Sequence, residues 1–254
     1  MSPIEQILGV RFFNGTVDEA VEVMSSAGGL LVVPAAPAVV KICHDEDYRR
    51  AVTSADMAIA DSGAMVLLWK IFTGRRVERI SGLKFLKRLI SRLASHPNER
   101  VLWIVPSEAA HEKTSTWLRH VNLTAGADFY TAPRYPAQVR DEALVAKIDN
   151  HPPAHVVIGI GGGVQEKLGL FLKENLQARP AIHCIGAALG FLTGDQPPIP
   201  MWADRFYLGW LLRLLRQPRV FAPRYVSAVK LPFLIFLYRK NLPPLRNKGK
   251  LDEN

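Results

Sequence analysis

The sequence predicts an α/β fold, namely a Rossmann-like, mostly parallel sheet flanked by helices, with a basic helical appendage at the carboxyl end. Along residues 1–200, short apolar runs rich in Val and Ile alternate with amphipathic stretches. The apolar runs lack in–out alternation, which is typical of parallel strands buried on both faces. Residues 201–254 carry a formal charge of +8, whereas residues 1–200 carry only +1. We therefore expect an α/β domain over 1–200 and a separate appendage over 201–254.

The elements of the α/β domain follow from these patterns in chain order. Apolar runs predict strands at Gly29–Val33, Met57–Ala60, Val101–Val105, Val156–Ile160 and Ile182–Ile185. Periodic stretches predict helices over 17–26, 46–54, 62–73, 82–95, 108–120, 138–149 and 165–177. Thr16 and Ser107 stand where N-caps are expected, directly before two of these helices.

Composition narrows the class of protein. With 254 residues, 48% of them hydrophobic and 22% charged, the chain can bury a core without cross-links. Its two cysteines, Cys43 and Cys184, form no CxxC pair, so neither a disulfide framework nor structural zinc is expected. The first residues lack the basic start and apolar core of a secretory signal. No segment suits a bilayer span, and a cytoplasmic protein is the expectation.

The ends of the predicted strands are the place to look for chemistry, because parallel α/β sheets bind ligands outside the carboxyl ends of their strands. The strand over 57–60 runs into Asp61, whose carboxylate is placed to accept a proton from an attacking hydroxyl. The alternative is that Asp61 only caps the helix that follows. The strand over 182–185 runs into Gly186, which close packing alone explains equally well.

A glycine-rich turn follows the strand over 156–160. Gly161, Gly162 and Gly163 let the backbone approach a ligand, and the helix that begins next favours an anionic group such as phosphate. Gln165 and Glu166 lie in its first turn, where they suit a base or a sugar hydroxyl, although a tight turn with a capping glutamate is the simpler alternative. The dinucleotide fingerprint fails, since Val164 stands where its last glycine belongs, and this disfavours a nicotinamide oxidoreductase.

Two other polar clusters each allow more than one interpretation. Arg79 suits bidentate binding of a phosphate, or equally an ion pair with Glu78 or with a nearby helix. The run His44–Asp47 resembles a set of metal ligands, but consecutive residues point in different directions, so a solvated acidic first turn is expected and no metal is assigned.

The appendage has the composition of a membrane-surface segment. Arg205, Arg213 and Arg216 recur at helical spacing, and the aromatic residues Phe233 and Phe236 precede a basic pair. Prolines divide the region into short helices. An anionic membrane surface is the expected partner, the alternative being a core helix with a wet basic side. Nucleic acid is not expected, because none of its binding motifs is present.

Taken together, a series of short motifs in this sequence resembles the WecG/TagA/CpsF family of glycosyltransferases, over about residues 10–230. The landmarks are Ala60-Asp61, Glu78-Arg79-Ile80-Ser81-Gly82, Gly161 with Gln165-Glu166, Gly209-Trp210 to Arg213, Pro218-Arg219 and Arg224-Tyr225. They are similar to the family's Ala-Asp-Gly, Glu-Arg-x-x-Gly, Gly-x-Pro-Lys-Gln-Glu, Glu-Trp-x-x-Arg, Glu-Pro-x-Arg and Arg-Tyr. Their order and spacing carry the resemblance.

The resemblance implies an inverting, metal-independent transfer of a sugar, N-acetylmannosamine-like or related, from a UDP-sugar to a polyprenyl-diphosphate-linked acceptor for cell-surface polysaccharide. It implies a peripheral protein on the inner face of the cytoplasmic membrane, which self-associates in many members, with the UDP-sugar as substrate and no cofactor. Asp61 would be the base. The nucleotide-sugar pocket would contain Arg79, Gly161, Gly162, Gly163, Gln165 and Glu166. The acceptor or its diphosphate would meet Arg213, Arg219 and Arg224.

This sequence departs from the family pattern at several polar positions. Pro34 and Ala36 stand where the family has Thr-x-Asn, and Gly163-Val164 replaces its Pro-Lys. Further departures are Ser62, Leu189-Gly190 and Gly209. Retained Asp61 and Gln165-Glu166 favour an enzyme with a different sugar. The alternative is a catalytically silent module of the same fold, which binds a nucleotide sugar or recruits partners to the membrane.

Overall fold

The computed structural model, which describes residues 4–186, 188–194, 226 and 228–245, confirms the α/β fold. Eight strands form one sheet in the order β1-β2-β4-β3-β8-β7-β5-β6. Among the strands of the described residues, β1 and β2 pair antiparallel and the other pairs are parallel. The strands are β1 Ile4–Ile7, β2 Val10–Phe13, β3 Gly29–Val32, β4 Met57–Ala58, β5 Val101–Val105, β6 Ala127–Thr131, β7 His155–Ile158 and β8 Ala181–Cys184.

Helices connect the strands and cover both faces of the sheet. They are α1 Val17–Ala27, α2 Ala36–Val39, α3 Glu46–Thr53, α4 Gly63–Thr73, α5 Gly82–Ser95, α6 Glu108–His120, α7 Glu142–Asn150, α8 Val164–Asn175, α9 Ala188–Leu192 and α10 Leu231–Tyr238. A 3₁₀ turn over Val40–Cys43 links α2 to α3. Seven of them match the predicted helices within four residues at either end, and Thr16 and Ser107 are N-caps as expected.

Two apolar layers hold the helices on the sheet. On one face, Leu30 and Val32 of β3 pack with α3, α4, α7, α8 and α10. On the other face, Leu31 of the same strand packs with α1, α5, α6 and α9. Because successive side chains of a strand point to opposite faces, a strand buried on both sides is apolar at most positions, as in the fully buried β3, β5 and β7.

Three strands escaped prediction. β1 and β2 form a hairpin whose turn residues, Leu8 and Gly9, both have positive φ, and the sequence there lacks the Asn-Gly or Asp-Gly signature of such turns. β6 lies at the edge of the sheet and is only half-buried, so it has no continuous apolar run.

The helix expected from residue 138 begins at Glu142, because Asp141 is its N-cap and accepts the N–H of Leu144 at 2.9 Å.

The described part of the appendage consists of residues 226 and 228–245. Pro232 lies in the first turn of α10, the position at which a helix tolerates proline. Residues after the helix run back to the hairpin, where Leu8 and Gly9 donate N–H bonds to the carbonyls of Arg239 and Lys240 at 2.8 and 2.9 Å. Among the residues described, no helix has the length and apolarity that a bilayer crossing requires. The expected boundary at 200/201 lies outside the described residues.

Candidate functional site at the carboxyl edge of the sheet

The topology brings four strand ends together at one edge of the sheet. The central order β4-β3-β8-β7 places, side by side, Asp61 after β4, Pro34 after β3, Gly186 after β8 and the turn at 159–163 after β7. The chain leaving β7 enters α8 on one face of the sheet, and the chain leaving β8 enters α9 on the other. In this architecture such divergence usually opens a ligand crevice at that edge.

Asp61 lies at the end of β4 and is half-buried. The alternative that it caps the next helix is wrong, since Ser62 is the N-cap of α4 and accepts the N–H of Met65 at 3.3 Å. Asp61 instead reaches the start of α5, where its Oδ1 accepts the N–H of Gly82 at 3.2 Å. This bond holds the carboxylate at the start of α5, at this edge of the sheet.

Arg79 lies beside Asp61. Ala60, just after β4, and Arg79 form an isolated parallel β-bridge, so the segment that carries Arg79 runs alongside the end of β4. The Arg79 Nε donates to the backbone carbonyl of Asp61 at 3.0 Å. The structure therefore joins two of the residues that the sequence singled out, a carboxylate and a guanidinium, at one strand end.

The glycine turn lies at the end of β7. Gly161 and Gly163 have φ of 107° and 101°, the left-handed half of the map that side chains other than glycine rarely adopt. Gly163 is the N-cap residue of α8, and its N–H donates to Glu166 Oε2 at 2.6 Å. The turn is thus held by the glutamate that follows it, which is the capping arrangement considered above.

Gln165 links this turn to the next strand. Its Oε1 accepts the N–H of Gly186 at 2.9 Å, and its Nε2 donates to the carbonyl of Cys184 at 3.3 Å and to Glu166 Oε1 at 3.1 Å. Both Gln165 and Glu166 are buried. Buried polar groups are costly unless they are paired, so these two side chains define the positions of the β7 and β8 exits.

Lys41 provides a positive charge next to the turn. Its Nζ lies 3.0 Å from the position that a Cβ on Gly163 would occupy. Burial raises the pKa of the Glu166 carboxyl, while the Gly163 N–H bond and the Lys41 ammonium oppose that rise. Nothing in the sequence pattern indicated Lys41, because the 3₁₀ turn that carries it is too short for periodicity to reveal.

A cleft of about 530 Å³ opens beside Lys41. Three lysines and an acidic run dominate its wall, and Lys167 pairs with Asp45 at 2.9 Å. The lining residues are Pro37, Val40, Lys41, His44, Asp45, Glu46, Asp47, Ala137, Lys167 and Lys230. Glu46 and Asp47 occupy the first turn of α3, with Asp45 as its N-cap, so the acidic run does form a helix start as expected.

The predicted site residues therefore fall into two groups on the same edge. Asp61 and Arg79 form one, and Gly161–Gly163 with Gln165 and Glu166 form the other. With β3 and β8 between them, the groups lie about 14 Å apart at a strand spacing of about 4.8 Å. The remaining predicted residues, Arg213, Arg219 and Arg224, lie outside the described residues.

Comparisons with known proteins bear on this geometry. A family model described as the glycosyl transferase WecG/TagA/CpsF family matches residues 5–247. A relative from Bacillus spizizenii is 24% identical over 214 residues, covering 79% of this chain and 79% of the relative. Its name is N-acetylglucosaminyldiphosphoundecaprenol N-acetyl-beta-D-mannosaminyltransferase.

Proposed function

Since this chain belongs to the WecG/TagA/CpsF family of glycosyl transferases, we propose that it moves a sugar from a UDP-sugar donor to a polyprenyl-diphosphate-linked acceptor in cell-surface polysaccharide synthesis. The proposed sugar is N-acetylmannosamine-like or related, in keeping with the name of the Bacillus spizizenii relative. The observation that carries the proposal is the position of Asp61, fixed at the end of a central strand with Arg79 at its own carbonyl.

In the proposed reaction Asp61 is the general base. The acceptor hydroxyl gives its proton to the Asp61 carboxylate, and its oxygen forms a bond to the anomeric carbon of the sugar. The bond from that carbon to the diphosphate breaks, its electron pair leaves with UDP, and the configuration inverts. Arg79, held beside Asp61 at 3.0 Å, is placed to neutralise charge that develops on the diphosphate.

The glycine turn is the proposed seat of the nucleotide sugar. Gly161, Gly162 and Gly163 bring backbone close to the crevice, and Gln165 and Glu166 hold that backbone in place. Glu166 already accepts the N–H of Gly163, so that donor is engaged within the protein.

We therefore add Lys41 to the proposed pocket as a cation for the donor diphosphate. The family's Pro-Lys is absent at 163–164, and the Lys41 ammonium lies against Gly163 instead. A proline at 163 would require φ near −65°, whereas Gly163 has φ of 101°. Lys41 thus provides from another element the charge that the missing lysine would bring.

The acceptor side of the proposal rests on the appendage. Arg213, Arg219 and Arg224 are proposed to meet the acceptor or its diphosphate, at the inner face of the cytoplasmic membrane. Pro34 and Ala36, which lie between the two groups of site residues, bring no polar side chain to the centre of the crevice. We propose that this change alters the choice of sugar.

The test is release of UDP from a panel of UDP-sugars, including UDP-N-acetylmannosamine, in the presence of polyprenyl-diphosphate-N-acetylglucosamine. Asp61→Asn is expected to lower kcat by at least a hundredfold, about the least that loss of a general base costs, while UDP-sugar binding is retained. Asp149→Asn is the matched control, because the Asp149 carboxylate also accepts a backbone N–H, from Gln177 at 3.1 Å, away from the carboxyl ends of the strands. It should stay within twofold of wild type.

Two results would contradict the proposal. Full activity of Asp61→Asn would remove this residue from the mechanism. Binding of a nucleotide sugar without turnover, across the whole panel and with several lipid acceptors, would support the silent binding module.

A further inference from the structure

Two helices of this protein, α4 and α10, together expose more large apolar side chains than any other pair of described elements. Leu67 and Ile71 of α4 are 52% and 64% exposed, and Phe233, Phe236 and Leu237 of α10 are 59%, 58% and 54% exposed. Both sets recur at helical spacing of three or four residues, so each defines one face of its helix. Isolated apolar residues on a surface are ordinary, but a contiguous cluster marks a binding surface.

The two exposed sets belong to one surface, because the helices pack against each other. The Phe72 and Phe236 rings meet edge to face with centroids 5.6 Å apart. Leu231, Leu234 and Ile235 on the inner side of α10 share the buried cluster of Met65 and Trp69 of α4. We call the outer side, comprising Leu67, Ile71, Phe233, Phe236 and Leu237, the α4–α10 face.

The α4–α10 face is held rigidly on the body. Beyond α10, the hydrogen bonds from Leu8 and Gly9 to the carbonyls of Arg239 and Lys240 tie the chain to the β1–β2 turn. Gln6 Nε2 also donates to Lys240, at 3.1 Å, and Arg49 donates to the carbonyl of Pro243. The aromatic side chains therefore project from a fixed platform.

Charge identifies the kind of partner. Residues 63–76 and 229–245 contain no Asp or Glu, and six of their cations are exposed, namely Lys70, Arg75, Arg76, Lys230, Arg239 and Lys240. The one acidic partner that the structure gives them is Glu5, which pairs with Arg75 at 3.4 Å. Apolar and aromatic side chains rimmed by Lys and Arg match the interface of an anionic bilayer, where the cations meet lipid headgroups. Two copies of this face would oppose like charges, which disfavours a two-fold dimer.

We infer that the α4–α10 face docks on an anionic lipid bilayer, with Leu67 and Ile71 of the α/β domain entering the interface beside Phe233, Phe236 and Leu237. Membrane binding would then be shared between the domain and the appendage. The inference rests on the proposed function only in that a lipid-linked acceptor gives the docking a purpose.

The test is flotation of the full chain with vesicles of phosphatidylcholine alone or mixed with phosphatidylglycerol, without donor or acceptor. Leu67→Gln/Ile71→Gln should weaken binding to anionic vesicles at least tenfold, whereas Leu67→Met/Ile71→Met, which keeps the surface apolar, should bind like wild type. Lys70→Glu/Arg76→Glu should also weaken binding at least tenfold at low salt, because each cation near such a surface contributes about fivefold in affinity. Lys87→Glu/Arg119→Glu makes the same change of net charge on α5 and α6, over the opposite face of the sheet, and should have little effect.

Unchanged binding of Leu67→Gln/Ile71→Gln would overturn the inference, as would equal losses in the two charge-reversed proteins. If instead sedimentation showed that wild type self-associates and that Leu67→Gln/Ile71→Gln abolishes this without affecting flotation, the face would be a protein interface. UDP release in detergent micelles, measured on the same variants, separates docking from catalysis. A docking failure leaves turnover intact, and an inactive protein can still float.

Discussion

Lys41 is a residue of the proposed pocket that the structure indicates and the sequence pattern does not. Its ammonium stands against Gly163 and contributes to the electrostatics of buried Glu166. We expect Lys41→Met to weaken binding of the UDP-sugar about tenfold, as loss of one charge-assisted contact to phosphate would. Titration calorimetry with the UDP-sugar that binds most tightly measures this, and Lys87→Met, at an exposed position of α5, is the control.

The same variant separates ligand binding from a purely structural charge. If Lys41 serves only as a counter-charge to Glu166, Lys41→Met lowers the melting temperature and leaves donor affinity unchanged. Such a result would remove Lys41 from the proposed pocket. Lys41→Arg, which keeps the positive charge, should restore much of the affinity.

Among the elements, the glycine turn offers a comparison between adjacent positions. A Cβ on Gly161 would meet nothing within 4 Å, so Gly161→Ala imposes only the strain of its φ of 107°. We expect a loss of about 1–2 kcal/mol in the free energy of unfolding, together with weaker donor binding. Gly162 lacks positive φ, and its nearest neighbour is Glu166 Oε1 at 4.0 Å. Gly162→Ala should therefore be nearly neutral in urea unfolding, and equal losses at both positions would contradict the strain argument.

The neighbouring strands β7 and β8 each contribute one histidine to a buried pair, and this pair makes the free energy of unfolding depend on pH. His155 Nδ1 and His183 Nε2 lie 3.0 Å apart, and His155 Nε2 meets Glu99 at 3.0 Å. Burial lowers the pKa of both imidazoles, and for His183 the neighbouring His155 lowers it further. Below about pH 6.5 the unfolded chain therefore binds more protons than the folded chain, and stability is lost as the pH falls.

We expect the free energy of unfolding to fall between pH 7 and pH 5.5 by up to about 1.4 kcal/mol per pH unit for each histidine. Urea unfolding at several pH values measures the slope. His155→Gln should flatten it, whereas His120→Gln, at the exposed end of α6, should not. A slope that is unchanged in His155→Gln would assign the effect to other groups.

At the scale of the whole molecule, sequence patterns predict the strands that are buried along their whole length and miss the strands with weaker patterns. The buried strands β3, β5, β7 and β8 were predictable because full burial makes them almost entirely apolar, with His155 and His183 as exceptions. β1 and β6 are the edge strands of the sheet and are only partly buried, and β2 follows β1 through the unusual Leu8-Gly9 turn, so these three strands leave weak patterns.

In the candidate site, too, local features were predictable from the sequence and long-range contacts were not. Asp61 and the glycine turn were predictable because strand ends are where such sheets bind ligands. The hydrogen bonds of Asp61 to Gly82 and of Gln165 to Gly186 join residues about twenty positions apart. No local pattern encodes them. Lys41 and the α4–α10 face likewise depend on how distant segments pack.

The bonds between the β1–β2 turn and residues 239–243 have a consequence for how this chain is made. The ribosome synthesises the amino-terminal hairpin first, whereas Lys240, whose carbonyl accepts a hydrogen bond from Gln6, lies 234 positions later in the sequence. The hydrogen bonds of the β1–β2 turn therefore form only after residues 239 and 240 have been synthesised. Until then the backbone N–H groups of Leu8 and Gly9 lack the partners that they have in the folded protein, so the hairpin reaches its final state late in synthesis.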